Sequence, residues 1–213
     1  MTMTIKERAG RISTTRDRAG ELGARLVLPK GVPDKYAVAW ALLRIAFDHG
    51  SSIIFNFMNH GPELAGSPFA LLRPMNEALK RGTWFAFCAT NEETQDFIHN
   101  DNLPKRNLAK EIERHPPFDR FHIFTAQYDN AWAKLHSFTH GGAQAVGAYW
   151  SGGEVGANFR EEDIYHALDH TEAILVLTVH VMCMIAGEFD PESARVVLGD
   201  LEKIEPTPPT PPN

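Results

Sequence analysis

Cysteine is nearly missing from this chain: 213 residues hold only two, Cys88 and Cys183. Each sits within an apolar run, which reads as two buried thiols and excludes a disulfide framework of the secreted kind. A surplus of cations is missing too: 21 Lys and Arg stand against 27 Asp and Glu, a formal charge of −6. An acidic body is a poor surface for phosphates, which argues against nucleic acid as a partner. Apolar runs are short. The longest, Ala173 to Ala186, falls below the ~20 residues of a membrane span and contains His180. No charged-then-apolar leader with a cleavage site opens the chain. The expectation is a cytoplasmic protein without a membrane partner. Phosphate loop, nucleophile elbow and dinucleotide fingerprint are absent, because Gly152, Gly153 and Gly156 follow no predicted strand. No cofactor is expected from these patterns.

What is present is helical patterning. Apolar residues make up 43% of the chain, a globular proportion. Residues 1–30 carry seven Lys or Arg against three acids and no sustained apolar stripe, which predicts a flexible basic arm with at most one short helix. Pro33-Asp34 opens a helix to about Asn59, with Gly50-Ser51-Ser52 as a bend. Ser67-Pro68 starts another to about Ala89, interrupted by a kink at Pro74. Shorter helices follow over Asn91–Asn100 and Leu103–Arg114, then a long one over Phe118–His140. Residues 143–150 form a further short helix and 151–158 a glycine-rich loop. Arg160–Gly187 is apolar on all sides in its second half, as a central helix should be. Asp190-Pro191 caps the last helix, to about Ile204. The fold class is all-α, an antiparallel bundle of four to five principal helices with shorter accessory ones. A single helical domain spans 31–205, and the Pro-rich 206–213 reads as a disordered tail.

Two stretches carry candidate chemistry. In one, His136 and His140 lie one turn apart before Gly141-Gly142; in the other, Arg73 and Glu77 have the same spacing on a different helix. If those helices face each other, Arg73, Glu77, Asp129, His136 and His140 form a buried polar cluster. His140 ends its helix, where unpaired carbonyls favour a cation, with Glu77 or Asp129 as partner. The cluster is either a register-fixing core feature or a pocket for a small anionic ligand. Pro74 beside Arg73 frees a carbonyl that a polar side chain can satisfy. A second pair, His166 and His170, lies among Glu161, Glu162, Asp163, Asp169 and Glu172 and reads as a solvated face. A metal-binding bundle is a further alternative, since i, i+4 histidines are the usual two ligands of one metal; the Glu-x-x-His such a bundle wants on facing helices occurs only as the variant Asp163-x-x-His166 and not beside His136, so no metal ligand is assigned.

Arg160 and His166, at the start of a helix, resemble the Arg-x(4–6)-His signature of HEPN-type ribonucleases, as do Arg44 and His49. That resemblance implies a dimer whose paired His166 side chains promote attack by a ribose 2′-hydroxyl, within a toxin or phage-defence setting. The three acids after Arg160 weigh against RNA. The Arg73-x-x-x-Glu77 helix together with Ser137-Phe-Thr-His-Gly-Gly142 resembles a bacterial all-helical family of unknown function, over roughly residues 35–190. That resemblance implies a cytosolic all-α domain and transfers no catalytic residue. The leading expectation is a domain that acts by interaction, with itself or another protein, or by binding a small ligand. Whether it is an enzyme is left open by the sequence.

Overall fold

The computed structural model describes residues 3–120, 122–125, 135–151 and 153–205. Its elements are α1 (Ile5–Ala24), α2 (Asp34–His60), a 3-10 turn (Gly61–Leu64), α3 (Gly66–Phe87), α4 (Asn91–Asn100) and α5 (Leu108–Ile112). After a second 3-10 turn (Phe118–Arg120) come α6 (Ala143–Gly147), the strands β1 (Trp150–Ser151) and β2 (Glu154–Val155), α7 (Glu161–Gly187) and α8 (Pro191–Leu201). The all-α class holds. The longest packing interface joins α2 to α3, while α7 lies against α1, α2, α3 and α8. That central place explains its apolar circumference: Ile164, Leu168, Leu175, Val179, Val181 and Ile185 are all buried.

The expected flexible arm is instead a docked helix. Thr4 and Glu7 form a reciprocal capping box at its start. Ile5, Ala9, Ile12, Ala19 and Leu22 are buried against the bundle. Arg8, 1% exposed, reaches Asp169 of α7 with Nε 3.0 Å from Oδ1. Thr15 donates to the buried Glu172 at 2.7 Å, and Tyr165 donates to the Met3 carbonyl at 2.6 Å. The acids expected to be solvated around His166 are therefore in part the partners of the basic arm. Complementary charge on two helices, read separately, had no visible destination.

Other boundaries shift for local reasons. Gly50 does not bend α2; it lets Leu175 and Met75 approach, and a Cβ there would lie 2.8 Å from a Leu175 methyl. Pro74 does not break α3, and Ser67 lies inside the helix, which has no side-chain cap. Over 103–114 only Leu108–Ile112 is helical, capped by Asn107. The glycine-rich loop contains a two-residue antiparallel pair, Trp150 with Val155 and Ser151 with Glu154. Within the long helix expected over Phe118–His140, residues 118–120 make a 3-10 turn, and 123–125 and 135–139 are helical. Residues 121 and 126–134, which include Asp129, lie outside the described residues, as does the 206–213 tail.

By length and composition, Asp34–Leu64 and Glu161–Gly187 are apolar enough to cross a membrane. The two differ in cover: 61% of the apolar window of α7 is buried inside the protein, but only 33% of that of the first segment. One side of α2 is consequently bare.

Candidate functional site

The Ser137-Phe-Thr-His-Gly-Gly142 stretch docks on α3 beside Pro74, and most of its residues have a structural task. Pro74 has no N–H for the Ala70 carbonyl one turn back. Thr139 brings a hydroxyl to it, whose one proton is shared between Ala70 O at 3.3 Å and the nearer Leu135 O at 2.9 Å. The freed carbonyl is thus met by a hydroxyl rather than by Arg73 or a histidine. Phe138 packs on Phe69 and Phe159, with ring centroids 5.1 and 5.9 Å away.

Helical residues 135–139 then end in a left-handed cap. Gly141 has φ +64, and the Gly142 N–H bonds the Ser137 carbonyl at 2.7 Å, the six-to-one bond of a Schellman cap. A Cβ on Gly142 would stand 2.6 Å from Ser137 Oγ and 3.1 Å from Ser137 Cα, so glycine gives the turn its close approach. That same hydroxyl accepts from Gln144 N at 3.0 Å, at the start of α6.

His136 and His140 are left over from this architecture. Both are exposed, one turn apart, with ring centroids 4.5 Å from each other. The Arg73 guanidinium meets His136 at Nδ1. Arg73, His136 and His140 therefore lie together, but on the surface rather than in a buried pocket. The cause lies in the docking: Phe138 and Thr139 take the inward positions, which turns the flanking histidines outward.

Glu77 does not close the cluster. Its Oε2 lies 3.1 Å from Lys80 Nζ and 3.3 Å from Arg81 Nε. Lys80 is buried, and burial holds its ammonium below the ordinary value against the opposing pull of Glu77. A carboxylate beside a buried ammonium is held where it is most needed. Asp129, the other proposed acid, lies outside the described residues.

The second pair divides. His166 is exposed, whereas His170 turns inward, its Nε2 3.0 Å from Asn76 Oδ1 of α3, and burial lowers its pKa. Arg160 is held by Asp163 in a two-pronged contact, Nε–Oδ2 2.8 Å and Nη2–Oδ1 2.7 Å. Among the described residues, no group of three or more His, Cys, Asp or Glu side chains is placed to hold a metal ion. The sequence reading missed the Arg8–Asp169 and Asn76–His170 contacts. The Thr4-x-x-Glu7 box was the available signal for the first, since it marks the start of a helix carrying Arg8.

A family model described as "Family of unknown function (DUF6988)" matches residues 43–197, close to the span of the motifs above. No curated protein and no solved structure matches the chain.

Proposed function

The chain belongs to this family of unknown function, and from the geometry of its own residues we propose that it binds a small anionic ligand on the face formed by Arg73, His136 and His140. One observation carries the reading: a guanidinium and two imidazoles converge at the surface. A planar guanidinium offers a fork of donors to a carboxylate or phosphate, and a ring N–H of an imidazole adds one more. Residues 135–142 have a fixed seat on α3, so the donors are positioned before a ligand arrives.

Sulfate is a suitable probe, because its own charge is constant between pH 5 and 8. The expectation is that sulfate perturbs the ring protons of His136 and His140 in NMR titrations. Arg73→Ala and the double change His136→Ala/His140→Ala each weaken that binding by at least ~10-fold. Binding that ignores these substitutions, or no binding at millimolar sulfate, removes the proposal.

A further inference from the structure

We infer that two copies of this chain pair through the bare outer face of α2, antiparallel, about a two-fold axis level with Ala46. The residues at the centre of that face are Ala37, Ala41, Arg44, Asp48, Ser52 and Phe55, spaced by three and four, and all are exposed. Phe55 is 55% exposed and Ile45, at the edge, 45%.

The order of residues identifies the occupant. A two-fold axis level with Ala46 sets Arg44 of each copy opposite Asp48 of the other, twice over. It also sets Ala37 opposite Phe55, small against large, and Ala41 opposite the Ser51–Ser52 pair. The surface is therefore complementary to itself in charge and in volume, which an isologous interface requires. A parallel pairing would set Arg44 against Arg44. Among the described residues, neither Arg44 nor Asp48 has an ion-pair partner within its own chain.

The polar side chains of the second half ask little of a partner. Ser52 donates to the Asp48 carbonyl at 2.9 Å, Asn56 to Ser52 at 2.8 Å and Asn59 to Phe55 at 2.7 Å. Each of these side chains places one donor on its own helix, which reduces what covering the face costs in lost hydrogen bonds. A bilayer is the poorer occupant, since Arg44 and Asp48 stand in the middle of the face.

The test is sedimentation equilibrium on the full chain. The wild type is expected to be a dimer at tens of micromolar. Arg44→Asp and Asp48→Arg each put like charges opposite each other twice, raising the dimer Kd at least ~100-fold. Mixing these two monomeric variants in equal amounts should restore a heterodimer, because each then meets its opposite. Circular dichroism should be the same for all, as both positions are exposed. A wild type that stays monomeric to ~100 µM, single reversals that still dimerise, or a mixture that fails to pair each overturns the inference. So does a monomeric wild type that floats with phosphatidylserine vesicles.

Discussion

The amide of Asn76 has its Nδ2 2.7 Å from the carbonyl oxygen of Leu72, a contact only a donor can make. Its oxygen is therefore the atom facing His170, and Nε2 of that ring carries the proton. Burial disfavours a second proton, so the pKa of His170 lies below its ordinary 6.5. Below pH 6.5 the unfolded chain takes up a proton that the native state resists; stability is whole above that pH and is lost as pH falls towards the folded value. His170→Gln keeps a donor for Asn76 without titrating. The gap in unfolding free energy between wild type and this variant should shrink between pH 7 and 5, by at most about 1.4 kcal/mol per pH unit. A gap that stays constant across that range would contradict the assignment. A second residue-scale expectation concerns Pro74. Thr139→Val removes the donor that meets the Ala70 carbonyl and should cost about 1–2 kcal/mol in a denaturant melt. Pro74→Ala restores the backbone N–H, and in that background the same threonine change should cost much less. Equal costs in both backgrounds would mean that the hydroxyl has another task.

At the scale of elements, α1 separates what the sequence made plain from what it hid. Helices α2, α3, α4, α7 and α8 were legible because long apolar side chains recur on one side or a cap marks the start. Thr90 with Glu93 and Asp190 with Ser193 are caps of that kind. The inward stripe of α1 has large apolar side chains only at Ile5, Ile12 and Leu22, with Ala9, Ser13, Thr15, Ala19, Gly23 and the buried Arg8 between them. Small and polar residues give little hydrophobic contrast, so the helix read as an arm. The same limit applied at the candidate site. Arg73, His136 and His140 were legible from their spacing, but their exposure depends on which residues of 135–142 turn inward, and Pro74 decides that from another helix. If α1 is docked as described, trypsin should cut at Arg11 and Arg18 no faster than it degrades the whole domain. Arg8→Ala strands Asp169 and should cost roughly 2–4 kcal/mol, with early cleavage in α1 as its visible consequence. Rapid loss of residues 1–18 from the wild type, the core remaining intact, would restore the flexible arm.

The whole molecule is organised around the place where α2, α3 and α7 meet. Gly50, Met75 and Leu175, one from each helix, are buried there in contact. A glycine inside a helix ordinarily costs up to about 1 kcal/mol relative to alanine, so Gly50→Ala would stabilise α2 if the site had room. It does not: the new methyl would lie 2.8 Å from Leu175 Cδ2, 3.0 Å from its Cγ and 3.3 Å from Met75 Sδ. Leu175 is fully buried and has no solvent to move into, so overpacking at about 1–3 kcal/mol should win. The expected net effect is a loss of about 1 kcal/mol. Leu175→Ala alone opens a cavity and should cost about 2–5 kcal/mol. Combined, the two changes should cost at least ~1 kcal/mol less than their sum, since the added methyl enters the space the leucine vacates. Strict additivity in that cycle would mean that the three helices do not meet at Gly50. Because this junction lies on the inner side of α2, these changes should shift monomer stability without altering self-association through Arg44, Asp48 and Phe55. A protein-concentration dependence of the melting temperature, preserved in Gly50→Ala and lost in Arg44→Asp, would separate the two faces of one helix.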